Sequence, residues 1–134
     1  MTYKRKSLGF TLIELLISIV ILGLLMSLVA PAMFSKVDST KIKTAKAQMQ
    51  MMQTALDTYR LDLGNYPSSL AALYDSEIEG WDGPYISKAV PNDPWGNKYF
   101  YESPGPNGQN FLLISRGKDG QVGGEDDSED IIHQ

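Results

Sequence analysis

The chain has 134 residues, a formal net charge of −4, one histidine and no cysteine. This length allows one modest domain with an added helix. The acid excess argues against nucleic-acid binding, which needs clustered Lys and Arg, and the lack of cysteine removes disulfide frameworks and thiol chemistry.

At the N-terminus, Lys4-Arg5-Lys6 precede Gly9, and a long apolar run follows. Leu15 to Ala30 carry no charge, and with Phe10 to Ile13 the stretch approaches the roughly 20 residues that span a bilayer. A conventional secretory signal has its cleavage site after a shorter apolar core. Here the Gly9–Phe10 junction stands before the run, so a cut there leaves the run on the mature chain. The first nine residues hold three of the twelve basic residues and no acid, so their removal takes the net charge from −4 to −7. The basic leader places the N-terminus in the cytoplasm and the residues beyond Ala30 on the other side.

Glu14 lies within the apolar run, where an ionisable group is expensive. One reading is a carboxylate near the interface, protonated or reaching headgroups. The other pairs it with the free α-amine of Phe10 on a neighbouring copy, which relieves much of the burial cost. Residues four apart are about 6 Å apart along a helix, so an axial stagger of copies brings the two groups together and sets a filament register. Gly23 weakens the helix and permits close helix approach, and Pro31 removes a backbone hydrogen bond, which either kinks or loosens the helix or is tolerated as a membrane-helix proline.

After Phe34 the pattern becomes one-sided. Ile42, Ala45, Met49, Met52, Leu56, Tyr59 and Leu63 recur at steps of three and four, a core-facing helical stripe. Gly64 is a candidate C′ residue, and Pro67 blocks continuation. One helix is thus expected from about Phe10 to Asp62, its second half forming the spine of a head. Within that head, Ser69 to Leu73 reads as a short helical piece and Asp93-Pro94-Trp95-Gly96-Asn97 as turn chemistry. Tyr99-Phe100-Tyr101 and Phe111 to Ser115 read as paired strands. Trp81 and Trp95 read as packing anchors on the thin sheet. The fold class is α+β: a long N-terminal helix on a small antiparallel sheet.

The tail crowds six acids into twelve residues from Asp119, among Gly120, Gly123 and Gly124. Carboxylates and carbonyls without His or Cys suit a hard cation such as calcium. The spacing is not that of an EF-hand, and composition alone favours a solvated acidic tail. His133 cannot be half of a His-rich metal site and reads as a solvated tail residue. No nucleophile–base pair and no phosphate-binding glycine loop is present, so an enzyme is not expected.

Gly9-Phe10-Thr11-Leu12-Ile13-Glu14 resembles the processing site of type IV pilin-like proteins. Tyr66-Pro67-Ser68, Gly83-Pro84-Tyr85, Pro91-Asn92-Asp93-Pro94-Trp95-Gly96-Asn97, Ser103-Pro104-Gly105 and Lys118-Asp119-Gly120 occur in the order seen in the major pseudopilin family of type II secretion. The resemblance implies a pilin-like fold with a leader at 1–9, a transmembrane assembly helix at 10–33 and a periplasmic head at 34–134. It implies cleavage between Gly9 and Phe10 by a prepilin peptidase, N-methylation of Phe10, and assembly through Phe10 and Glu14. The implied partners are further copies in a helical homopolymer, minor pseudopilins, the inner-membrane secretion platform and the inner membrane itself. It also implies one structural calcium in the C-terminal loop. Asp119 matches the first carboxylate. The second comes from the Glu125–Asp130 cluster, with Asp126 and Asp127 fitting best and Asp130 as the rival. Arg116, Val122 and Ser128 would give backbone carbonyls. This chain departs from the family pattern in having acids at Asp126 and Asp127 and in ending Ile131-Ile132-His133-Gln134. The alternative function is a major subunit of a type IV pilus, against which stand the Asp93-Pro94-Trp95-Gly96 block and the absence of a cysteine pair.

Overall fold

The computed structural model describes residue 2 and residues 8–133, so the expected basic leader Lys4-Arg5-Lys6 lies outside the described residues. Helix α1 covers Leu12–Leu63 and runs through Pro31. The chain divides into two compact units, residues 1–37 and 38–134.

In the first unit, the large apolar side chains of α1 from Leu12 to Phe34 are exposed and cover all sides of the helix. A helix hydrophobic all round belongs in lipid or against other apolar helices. It is long and apolar enough to cross a membrane.

In the second unit α1 becomes amphipathic. Ala45, Met49, Met52, Ala55, Leu56 and Tyr59 are its buried residues. With Leu70, Leu73, Ile86, Tyr99, Phe111 and Leu113, all of these but Ala45 form one core. Each large apolar side chain so buried contributes roughly 1.5–3 kcal/mol. The helix stops where the sequence predicts: Gly64 has φ +84°, and its N–H bonds to the Arg60 carbonyl at 2.7 Å. That left-handed C′ geometry favours glycine.

Three short strands follow: β1 (Phe100–Glu102), β2 (Leu112–Ser115) and β3 (Ile131–His133). They form an antiparallel sheet in the order β1-β2-β3. The first two strands each start one residue later than the sequence suggests, because Tyr99 and Phe111 pack into the core ahead of the ladder. Leu113 pairs with Tyr101 on one side and His133 on the other, so these three share the face toward the core. Tyrosine hydroxyls tie sheet and loops down: Tyr99 donates to Gln48 Oε1, and Tyr101 donates to the Pro67 carbonyl at 2.9 Å.

Two expectations need correction. The chain end is not a solvated tail: Ile131-Ile132-His133 completes the sheet, and half-buried His133 lies against Gln53 Oε1 of α1. Nor does Trp81 anchor on the sheet. It stacks edge-on against Tyr85 at 5.8 Å and donates its Nε1–H to the Ala72 carbonyl at 2.7 Å. Trp95 stays in the turn, half-buried, with an Nε1–H that meets no acceptor among the described residues.

Candidate functional site: the helix start and the acidic loop

Helix α1 opens with Thr11 before its first residue and Glu14 three positions later. The Thr11 N–H donates to Glu14 Oε2 at 2.8 Å, and the Glu14 N–H donates to Thr11 Oγ1 at 3.3 Å. This is a reciprocal capping box that satisfies two of the free amides at a helix start. The carboxylate at the head of the apolar helix therefore has a local partner in the single chain. Phe10, immediately outside the cap, is exposed, as is Gly9. The Thr-x-x-Glu spacing is the sequence signal for this cap.

In the head, a turn holds the acidic loop. Asp93 is buried, with 4% exposure. Its Oδ1 accepts the N–H groups of Trp95 at 3.1 Å and Asn97 at 2.8 Å, and its Oδ2 accepts the hydroxyl of fully buried Ser115 at 2.8 Å. Asn97 passes the link on: its Nδ2 donates to the Gly117 carbonyl at 2.9 Å. Gly120 lies against the same amide, where an added Cβ would come within 3.1 Å. The Asp93–Asn97 turn thus fastens the end of β2 and the first residues of the loop. Sequence reasoning found the turn but not the buried carboxylate inside it.

The loop from Arg116 to Asp130 folds back on itself. The Lys118 N–H donates to the Asp127 carbonyl at 3.0 Å, and a short 3₁₀ turn covers Asp126–Ser128. Gly124 has φ +101°, and a Cβ there would fall 2.1 Å from the Ser128 carbonyl oxygen, so only glycine fits. The acids take distinct places. Asp119 Oδ1 accepts the Gln121 N–H at 3.0 Å. Asp130 Oδ2 accepts the Gly123 N–H at 2.9 Å, while its Oδ1 is buried without a partner among the described residues. Asp127 Oδ2 is engaged by Lys118 Nζ at 2.9 Å. Asp126 is exposed with φ +52°. Arg116 lays its guanidinium 5.1 Å from the Phe100 ring centre, and Val122 is 78% exposed.

Among the described residues no three His, Cys, Asp or Glu side chains stand together as a ready metal cluster. Any cation here must draw on backbone carbonyls as well. The donor chemistry fits a hard cation: the available groups are oxygens, and Asp130 Oδ1 is a buried carboxylate oxygen still lacking a partner.

A family model described as type II secretion system protein G matches residues 32–134, and one described as the prokaryotic N-terminal methylation motif matches residues 4–30. The chain belongs to the type II secretion system protein G family. Its relatives include the type II secretion system core protein G of Pseudomonas aeruginosa, 41% identical over 96% of this chain and 95% of that one. The core protein G of Vibrio cholerae is 39% identical over 98% and 94% of the two chains. The crystal structure of the major pseudopilin from the type 2 secretion system of enterohaemorrhagic Escherichia coli matches with a TM-score of 0.58 at 29% identity, covering 74% of this chain and 90% of that one. As a member of the protein G family, the chain has the pseudopilin fold that its helix and three-stranded sheet describe. These relatives are secretion proteins and lend no support to the type IV pilus alternative.

Proposed function

We infer that this chain is the major structural subunit of a type II secretion pseudopilus, the periplasmic filament that drives protein export. The observation that carries this reading is the all-round apolar first part of α1, with one carboxylate in its opening turn, on a chain of the protein G family. Such a helix is stable in the inner membrane and equally stable against the same helix of other copies. Filament cohesion then comes from apolar burial.

Register comes from Glu14. Cleavage between Gly9 and Phe10 by a prepilin peptidase, followed by N-methylation, leaves a positive amine on Phe10 one residue before the cap. Glu14 exchanges its Thr11 N–H for the amine of a neighbouring copy, trading a hydrogen bond charged on one side for an ion pair charged on both. The head lies in the periplasm, and the role is structural rather than enzymatic. Minor pseudopilins and the inner-membrane secretion platform are its working partners.

The acidic loop is proposed to hold one calcium ion. Asp119 and Asp130 would supply carboxylates and Arg116, Val122 and Ser128 backbone carbonyls, with Asp126 at the exposed rim. A bound cation would supply positive charge to these oxygens. The loop itself is already positioned by Asn97 and by the glycines that let its two halves meet. Calcium is scarce in the cytoplasm, so the site fills after the head has crossed the membrane.

Glu14→Ala tests the assembly role. Membrane insertion is expected to stay intact while filaments, seen by electron microscopy of sheared cells overproducing the chain, disappear. Filaments of normal length and yield from this variant would refute the register role.

A further inference from the structure

One charged pair in the acidic loop is not explained by a cation site. Lys118 and Asp127 face each other across the loop and are joined twice, by the backbone bond Lys118 N–H to Asp127 C=O at 3.0 Å and by Nζ to Oδ2 at 2.9 Å. The rung sits beside Gly117 (φ +61°), where a Cβ would come within 2.9 Å of the Asp127 carbonyl oxygen and the Ser128 carbonyl carbon. The two loop halves are therefore in contact at this point. Asp127 thus faces the Lys118 ammonium, whereas Asp130 has a buried oxygen with no partner among the described residues.

We propose that Lys118 and Asp127 form a metal-independent latch that closes the loop before any cation arrives, so that Asp127 is a positioning residue and not a metal ligand. The proposal rests on the calcium reading of the loop and divides the candidate acids between two jobs. Asp119 and Asp130 remain for the ion. Asp127 is spent on Lys118 and keeps the Ser128 carbonyl, its immediate neighbour, in place. A loop held this way loses less chain entropy on binding than an open one, which raises affinity without adding a ligand.

The test uses the full chain in detergent micelles, with melting temperatures in EGTA and in calcium and a calcium titration. The variants are Asp127→Asn, Lys118→Arg and the double variant Lys118→Met/Asp127→Asn. The double variant removes the latch while leaving the local net charge unchanged. It is expected to melt about 2–6 °C lower in EGTA and to bind calcium about two- to fivefold more weakly, the size of one well-held exposed pair. Lys118→Arg should keep both properties. Loss of calcium binding altogether in Asp127→Asn or in the double variant would make Asp127 a ligand and overturn the proposal. A double variant equal to the parent in both readouts would show that no latch exists. If the parent itself ignores calcium, the calcium reading fails, and the EGTA melting temperatures alone decide the latch.

Discussion

Asp93→Ala is the most demanding test of how the head is held together. The substitution removes a carboxylate with 4% exposure that accepts from the Trp95 N–H, the Asn97 N–H and the Ser115 hydroxyl. Hydrogen bonds to a charged acceptor contribute about 1.5–3 kcal/mol each, and donors stranded in the interior carry a further penalty. Removing the buried charge returns part of that, so the net loss is about 3–5 kcal/mol. For a domain of about a hundred residues this lowers the melting temperature by about 15–30 °C. Asp93→Asn is the control. Its carbonyl still accepts both N–H groups, and the Ser115 hydroxyl can turn to accept from the new amide, so the loss should be only about 1–2 kcal/mol. Near-UV circular dichroism of the full chain in detergent micelles, followed against temperature and urea, reads both. A fall of less than about 5 °C for the alanine variant, or an asparagine variant equally damaged, would refute the reasoning. Because Asn97 carries the Gly117 carbonyl, Asp93→Ala should also weaken any calcium response of the loop.

Three further outcomes are expected. Intact mass of the membrane-extracted chain, from cells with an active prepilin peptidase, should show a start at Phe10 with one added methyl; a Met1 start there would remove the processing step. Asp119→Ala should lose the calcium-dependent rise in melting temperature while melting normally in EGTA, and an unchanged calcium response would take Asp119 out of the site. Stability should fall at high pH. Burial pushes the Tyr101 phenol up to about 12, and burial first, then the Asp93 charge, push Tyr99 well above the usual phenol range. Below about pH 10 both states keep these protons; above it the unfolded chain releases protons that the folded head retains, so stability is lost as pH rises through the folded values. A melting temperature that stays flat from about pH 9 to 12 would contradict this.

The helix was legible because its apolar residues keep a period of three and four over the whole head segment, and Gly64 with Pro67 supplies an unambiguous stop. The two strands before the acidic loop were legible as runs of aromatic and branched residues. Their first residues were not, since burial of Tyr99 and Phe111 looks the same in sequence as membership of a strand. Strand β3 escaped because three residues after an acid-rich stretch give no alternation to read, and its existence depends on β2 lying beside it. The same holds inside the loop. Composition shows that Asp119, Asp126, Asp127 and Asp130 are close in sequence, but the fold decides which faces Lys118 and which has a buried oxygen unpartnered among the described residues. At the helix start, the local capping bonds between Thr11 and Glu14 emerge only with the backbone in view.

The central claim is that this chain builds the filament on which export depends. The most direct measurement is the distribution of type II secretion substrates between periplasm and medium in a host deleted for this chain, with complementation by the parent and by Glu14→Ala. Substrates held in the periplasm of the deletion strain, released by the parent and not by Glu14→Ala, are the predicted result. Normal export in the deletion strain, with surface pili lost instead, would contradict it.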